Sequence, residues 1–310
     1  MQLRAISTGP GVPGSDFRGA VHSTFRHACT LSTTGGLLLT LLPAGTGNLP
    51  QGIRLNTPDN FVFSEHIRVG QPVGCRAGVL RFRGAAFQVD LRGALRWAID
   101  ISSLGVDLEQ PPSRRAWQAA WLELLNSRPL DGFGLLLETG SLPPESLRLS
   151  QNTLGKIRGL LRAVRRRHVE AAACAATALI GLGPGLTPSG DDFLTGFVAG
   201  LWSTAGGDAS RLAFLASFGA RIAGASKTTT QTSRIYLEHA AAGRFSEALT
   251  TLAEQIGRGR EPGQVKQAAQ AALRVGSTSG ADGVLGLLLG LAAWKMIRIL
   301  YHPPGLCLHC

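Results

Sequence analysis

The sequence predicts an α+β protein, in which a β-rich N-terminal domain (a small barrel or sandwich) precedes an all-helical C-terminal domain. Short apolar runs separated by Gly, Pro and Asn occupy residues 17–105, which is typical of short strands joined by turns. After residues 141–150, which contain two adjacent prolines, apolar residues recur at helical spacing. The 310 residues are enough for two cores, so we place the domains at 1–140 and 151–310.

The individual elements follow from the same patterns. Predicted strands include the apolar runs at 36–42, 61–63, 79–82 and 85–89. A helix is predicted over 112–126, where Trp117 and Trp121 share one face, and a linker over 141–150. The predicted helices of the second domain cover residues 153–168, 169–180, 192–203, 211–224, 232–241, 246–256, 264–275 and 281–300.

Composition narrows the class of protein. The net charge is +11, and a basic surface attracts small anions, nucleic acid or anionic lipid. Five cysteines without the spacing of a disulfide framework favour a reducing compartment. The first 15 residues lack the apolar core of a secretory signal, and the longest apolar run, 284–294, is too short to cross a bilayer. We therefore expect a soluble cytoplasmic protein with no membrane partner.

The segment most indicative of chemistry is 181–192, which reads GLGPGLTPSGDD. Its three alternate glycines permit positive φ and a close approach of the backbone to a ligand. A hydroxyl residue then starts a helix, whose free N–H groups suit an anion. Asp191 and Asp192 add two carboxylates that could hold a divalent cation such as Mg²⁺, orient a substrate N–H or accept a proton.

A simpler interpretation of this segment is helix capping. Ser189 with Asp192 resembles a capping box, and acidic residues in a first turn stabilise any helix. Capping does not require three alternate glycines or a second carboxylate, so we favour a ligand site while keeping the alternative open.

An internal repeat supports the ligand site. Residues 189–192, Ser-Gly-Asp-Asp, are matched by residues 279–282, Ser-Gly-Ala-Asp, and each turn continues into a G-x-x-x-G face. Both following helices are apolar nearly all round, which indicates burial. We expect these helices to pack together and bring Asp192 and Asp282 to one polar pocket, although an old duplication kept for packing would leave the same pattern. The hydroxyl-rich segment 227–234, with cations at both ends, is a candidate third wall.

Four segments of this chain resemble the AllH-type family of oxamate carbamoyltransferase subunits. The longest and most specific is residues 183–196, GPGLTPSGDDFLTG. The others lie at 229–243, at 276–286 and, in the N-terminal half, at the Gly-Asn turn of residues 47–54.

The resemblance implies a role in the transfer of a carbamoyl group from oxalurate to phosphate, giving oxamate and carbamoyl phosphate in allantoin-derived nitrogen recovery. It also implies a hetero-oligomer with other carbamoyltransferase subunits. We predict catalytic roles for Asp191, Asp192 and Asp282. The predicted substrate-binding residues are Gly183, Gly185, Thr187, Ser189, Gly190, Thr229, Thr230, Ser233, Arg234, Ser277, Ser279, Gly280 and Asn48. The only candidate cofactor is Mg²⁺, for which no ligand set is predicted.

Two rival hypotheses remain. The chain could be a non-catalytic subunit that binds an anion or organises the complex, or a basic nucleic-acid-binding protein. The basic run at 158–168 is amphipathic and lacks interleaved aromatics, which favours a solvated face or an acidic partner subunit over nucleic acid. Cys307, His309 and Cys310 are crowded in a tail without a second Cys-x-x-Cys, so a zinc site is not favoured. No activated Ser or Cys is evident, so we expect direct transfer without a covalent enzyme intermediate.

Overall fold

The computed structural model describes residues 1–127, 132–133, 144–276 and 278–295. The chain divides into two compact units, Met1–Ile99 and Asp100–Cys310. The first contains the strands and the second contains long helices, so the predicted α+β class is confirmed. Within the described part of the chain, no helix is both long and apolar enough to cross a membrane.

The N-terminal unit is a closed barrel. In spatial order its strands are β5-β4-β3-β2-β6-β7-β8-β1, and the antiparallel pairing of β1 with β5 closes the ring, while β9 adds a short parallel pairing to β1. Closure leaves the barrel strands without free edges. The strands are β1 (Gln2–Thr8), β2 (Phe17–Thr24), β3 (Cys29–Thr33), β4 (Leu38–Pro43), β5 (Gly52–Asn56), β6 (Pro72–Arg76), β7 (Val79–Phe82), β8 (Gln88–Asp90) and β9 (Leu95–Arg96).

Alternation along the strands builds the barrel core. In β3 every second residue is buried, so that Cys29 and Leu31 point inward. The prediction of a strand at 61–63 is wrong, because Phe63 begins the short helix α1 (Phe63–His66). Phe61 instead packs edge-on against Phe63 and Phe87, with ring centroids 5.1 and 5.5 Å apart. These rings give that apolar run its burial without a strand.

The second unit is helical. The predicted helices 112–126, 169–180, 211–224, 232–241, 246–256 and 264–275 each correspond to a helix, with ends that differ by three residues or fewer. The helices are α2 (Pro111–Asn126), α3 (Pro144–Arg165), α4 (Val169–Thr177), α5 (Ser189–Ser203), α6 (Ala209–Ala225), α7 (Gln231–Ala241), α8 (Glu247–Gly257), α9 (Pro262–Leu273) and α10 (Ser279–Ala292).

Three helix boundaries differ from the predicted ones in ways that bear on the site or on the domain organisation. The predicted linker 141–150 is wrong from residue 144 onward, because α3 already begins at Pro144, and proline is compatible with a first helical turn. Helix α5 begins at Ser189, three residues before the predicted start, so both aspartates lie inside its first turn. Helix α10 ends at Ala292, whereas residues 296–300 of the predicted helix lie outside the described residues.

Helix α2, which the sequence analysis grouped with the β-rich domain, belongs to the helical unit. The rings of Trp117 and Trp121 stack with centroids 5.1 Å apart, and both are buried. Trp117 Nε1 donates to Leu288 O over 2.9 Å, which satisfies the buried indole N–H. This hydrogen bond joins α2 to α10 in the centre of the unit.

Candidate functional site

Helices α5 and α10 lie side by side and run in the same direction. Their glycines let the two backbones meet, since a Cβ on Gly196 would overlap Gly283 O and one on Gly286 would overlap Phe193 O. Further along, Gly200 meets Leu287 O and Gly290 meets Phe197 O. The prediction that these two helices pack together is therefore confirmed, and their first turns lie at the same end of the unit.

The packing of α5 and α10 follows an approximate two-fold symmetry. Adding 90 to the number of an α5 residue gives its counterpart on α10, as for Gly196 and Gly286. The contact of Gly196 with Gly283 is thus related by this symmetry to the contact of Gly286 with Phe193. The internal repeat of the sequence is therefore also a spatial symmetry, and it brings the two Ser-Gly-x-Asp turns together.

Asp191 anchors the loop formed by residues 181–188, hereafter the glycine-rich loop. Its side chain is 2% exposed. Oδ1 accepts the Gly181 N–H over 2.9 Å, and Oδ2 accepts the Thr229 hydroxyl over 2.5 Å. Because both oxygens accept hydrogen bonds from the protein, Asp191 positions the start of the loop against the segment that precedes α7.

The N-terminus of α7 is held against the same loop by Thr230. Its hydroxyl accepts the Ser233 N–H over 3.1 Å, which caps α7, and donates to Leu186 O over 2.6 Å. One side chain therefore starts a helix and fixes the middle of the glycine-rich loop. The segment predicted as a third wall does lie beside the loop.

A hydroxyl pair joins the loop to α10. Thr187 Oγ1 lies 2.9 Å from Ser279 Oγ, so one of these hydroxyls donates to the other. Together with the contacts of Asp191 and Thr230, this bond brings the N-termini of α5, α7 and α10 to one loop. The helix dipoles give these three N-termini partial positive charge, so this arrangement favours an anion.

Asp192 is the carboxylate of this site whose acidity is most changed. Burial raises its pKa to about 7, and the negative charges of Asp282 and Asp191 add to the increase. The hydroxyls of Ser279 and Thr187 oppose it. Among the described residues, Asp192 Oδ2 is buried without a hydrogen-bond partner. A carboxyl with a pKa near neutrality can both give and take a proton at physiological pH.

Asp282, its counterpart on α10, is fully buried at 0% exposure. Burial raises its pKa to about 6, and the Ser189 hydroxyl and the Phe133 N–H lower it in part. The Phe133 N–H donates to Oδ1 over 2.7 Å. Ser189 is close enough to affect the pKa but is not in hydrogen-bonding geometry with Oδ2, which has no partner in the described part of the chain.

The predicted glycines divide into two groups. Gly183 and Gly185 adopt φ of 115° and 96° in the exposed loop, conformations that favour glycine. Gly190 and Gly280 instead allow close packing, because a Cβ on either would overlap a backbone carbonyl of the preceding segment, Leu179 O or Ala272 O. The first pair is therefore available to a ligand, while the second pair has a packing role.

The other predicted site residues differ in their location and in their exposure to solvent. Arg234 is about half exposed and its Nε donates to Glu238 Oε1 over 2.7 Å. Ser233 is buried, and its hydroxyl has no partner among the residues described. Asn48 lies in the barrel unit and accepts the Ser7 hydroxyl over 2.6 Å. Ser277, His302 and the tail residues Cys307, His309 and Cys310 lie outside the described residues.

Groups suited to metal or nucleophilic chemistry are sparse. The described residues contain no cluster of three or more His, Cys, Asp and Glu side chains that could hold a metal ion. Cys29 is buried in the barrel, and burial raises its pKa to about 12, so its thiol is a poor nucleophile. Cys75 is also buried with a raised pKa, and Cys174 is exposed on α4.

Two residues that contact Asp282 were not predicted from the sequence. Besides the Phe133 N–H, Gly132 lies against Asp282, and a Cβ on it would stand 2.7 Å from Oδ2. Gly132 has a φ of 71°. Neither residue belongs to a hydroxyl-rich or acidic motif, so only the unexplained glycine could have drawn attention to this pair.

Two family models match the chain. The model described as oxamate carbamoyltransferase subunit AllH matches residues 179–291, and the model of the AllH family N-terminal domain matches residues 5–96. The first match contains the glycine-rich loop and helices α5, α7 and α10, and the second covers the barrel strands. No solved structure matches this chain.

Proposed function

The chain belongs to the AllH family, described as a subunit of oxamate carbamoyltransferase, and from that membership we propose that its glycine-rich loop binds the substrates of carbamoyl transfer. In the proposed reaction the carbamoyl group of oxalurate passes to phosphate and leaves oxamate. The chain works in the cytoplasm, in a hetero-oligomer with other subunits of the enzyme. The resemblance found in the sequence extends over the same segments that the family models match.

One observation carries the proposal: the site offers hydrogen-bond donors and acceptors side by side. Three helix N-termini meet at the loop, and the N–H groups of Gly183, Gly185 and Leu186 have no acceptor among the described residues. Next to them, Asp192 is partly exposed, and its Oδ2 accepts no hydrogen bond from the described residues. Oxalurate combines an anionic carboxylate with ureido N–H groups, so it complements both sets.

The free loop N–H groups also suit the chemical step. Attack of a phosphate oxygen on the carbamoyl carbon places negative charge on the carbamoyl oxygen, and preorganised N–H groups stabilise such an oxyanion. The C–N bond to oxamate then breaks, while the new C–O bond to phosphate is kept. The proton of hydrogen phosphate ends on the oxamate nitrogen. No covalent intermediate with the protein is involved.

The second candidate is a non-catalytic subunit that binds the anion or organises the complex. The excess of 17 Lys and Arg over 9 Asp and Glu after residue 150 would attract an anion in either role. A carboxylate pair with raised pKa beside free N–H groups favours the catalytic role, because simple anion binding is opposed by a neighbouring negative charge.

The proposal is tested by the thermal midpoint of the purified chain with oxalurate, oxamate, phosphate and carbamoyl phosphate, each with and without Mg²⁺. A ligand that binds only the folded state raises the midpoint with its concentration. An increase that Asp192→Asn abolishes supports binding at the loop. Turnover by the assembled enzyme that survives Asp192→Asn would favour the non-catalytic role, and no shift with any ligand would contradict binding by this chain alone.

A further inference from the structure

In the first turns of α5 and α10, each aspartate lies beside a serine of the other helix. Asp192 of α5 has Ser279 of α10 beside it, and Asp282 of α10 has Ser189 of α5 beside it. The Oδ2 atoms of both aspartates are buried and without partners among the described residues. The two symmetry-related carboxylates therefore each have one buried oxygen that accepts no hydrogen bond from the described residues.

The two members of this pair differ in access. Asp282 is 0% exposed and is covered by the Gly132–Phe133 backbone, whose N–H binds Oδ1. Asp192 is partly exposed and adjoins the exposed glycine-rich loop. A ligand on the loop can thus reach Asp192, while Asp282 stands behind it.

We propose that Asp192 is the general acid of the site and that Asp282 is a buried positioning residue, the two carboxyls sharing one proton in the active form. This inference rests on the proposed carbamoyl transfer. The negative charge of Asp282 disfavours ionisation of Asp192, and burial strengthens that effect because little water screens the two carboxyls.

The surrounding charges agree with a shared proton. Among the described residues, the charges that act most on Asp192 are those of Asp282 and Asp191, both negative. The repulsion is mutual, so ionised Asp192 disfavours the ionised form of Asp282 in the same way. The other described titratable groups on the helices packed against α5 and α10 are not among the main causes of either shift; they include Arg114, Arg115, Glu123, Arg211, Arg221, Arg234, Glu238, His239, Glu247, Glu254 and Lys266.

The proton transfers of the proposed reaction can be balanced with a single proton on the Asp192–Asp282 pair. Asp192 in its acid form gives its proton to the departing oxamate nitrogen as the C–N bond breaks. Hydrogen phosphate loses its proton as its oxygen bonds to the carbamoyl carbon, and that proton restores the carboxyl pair. The pair therefore starts and ends each turnover with one proton, and no further acid or base is consumed.

The role of Asp282 is tested by the pH profile of kcat for the assembled enzyme. Activity should fall as pH rises and Asp192 loses its proton. Asp282→Asn removes a negative neighbour, so the fall should move to lower pH by on the order of one unit, while kcat at low pH is largely kept. The control Glu254→Gln removes one charge from the surface ion pair with Arg258 and should not move the profile. An unmoved profile in Asp282→Asn would overturn the positioning role.

A second measurement requires no turnover. In the purified full chain labelled with ¹³C at aspartate carboxyls, two carboxyls should titrate above the ordinary aspartate range, and in Asp282→Asn the Asp192 signal should titrate lower than in the wild type. If both carboxyls titrate normally in the wild-type chain, the inference fails even where oxalurate still raises the thermal midpoint. If the titrations are raised but no substrate binds, the proposed function fails and the shared proton stands.

Discussion

Asp191 and Asp192 are adjacent in sequence, yet their carboxyl groups face different partners. Asp191 is fully engaged by Gly181 and Thr229, whereas Asp192 Oδ2 is without a partner among the described residues. Helical geometry explains the divergence, because consecutive side chains on a helix point about 100° apart. The two aspartates therefore belong to different tasks, one fixing the loop and the other facing the pair with Asp282.

The first prediction concerns the anchor. Asp191→Asn keeps an oxygen for the Gly181 N–H but loses an acceptor for Thr229, so it should lower the free energy of unfolding by about 1–3 kcal/mol. Urea unfolding measures this loss. Thr229→Val should cost a similar amount, and the double variant should cost less than the sum because the two changes break one hydrogen bond. Strictly additive losses would contradict the contact.

The second prediction concerns stability against pH. Because burial raises the pKa values of Asp192 and Asp282 to about 7 and 6, the folded state binds more protons than the unfolded state between about pH 4 and pH 7. Stability from this source is therefore present at low pH and is lost as pH rises. Asp192→Asn should raise the thermal midpoint relative to the wild type at pH 8 and change it little at pH 4.5.

Glu254→Gln is the matched control for that comparison, since it neutralises a carboxylate on α8 that has a surface partner. Its difference from the wild type should be small at both pH values, as expected for an exposed ion pair. An equal gain for Asp192→Asn at both pH values would show that the gain does not come from ionisation.

The third prediction concerns the contact of α5 with α10. Gly196→Ala places a methyl group against Gly283 O, and the helices must separate, so we expect a loss of about 1–3 kcal/mol or more in chemical denaturation. Gly224→Ala on α6 is the control, because nothing lies within 4 Å of its added Cβ. That change should be neutral or stabilising by up to about 1 kcal/mol. A similar loss in both variants would argue against the close contact.

The fourth prediction concerns the glycine-rich loop. An alanine at Gly185 has open space but must hold a φ of 96°, at a cost of about 1–3 kcal/mol if the conformation is kept. We expect Gly185→Ala to fold and to reduce the thermal shift given by oxalurate, because the loop turns its N–H groups differently. Gly263→Ala, on α9 and also in open space, should leave the shift unchanged. A full shift in Gly185→Ala would exclude this part of the loop from the site.

Much of this architecture could be predicted from local patterns. The hydroxyl-Ser-Gly-x-Asp repeat predicted the pairing of α5 with α10, because matching glycine faces need a partner to fill them. Turns and alternation predicted a β-rich N-terminal half but left barrel and sandwich open, since the closing pair of β1 with β5 joins residues about fifty positions apart. The partition of roles between Asp191 and Asp192 depends on Thr229 and Gly181, which no spacing rule connects.

The Gly132–Phe133 contact was beyond prediction for the same reason. Its two residues meet Asp282 across about 150 positions of chain, and neither lies in the motifs from which the site was predicted. The hydrogen bond to Asp282 is made by a backbone N–H, so the identity of Phe133 does not reveal it, and the glycine before it does not say which residue it contacts. The asymmetry of the site therefore had to come from the structure.

The cover over Asp282 has a consequence for stoichiometry. A duplicated turn would by itself offer two equivalent places for a small molecule, one at each helix start. Among the described residues, the Phe133 N–H already occupies the Asp282 half, whereas the Asp192 half opens on the exposed loop. A calorimetric titration of the chain should accordingly saturate at one molecule of anion per chain. The second copy of the motif then has a structural role, because it forms one side of the site at the first.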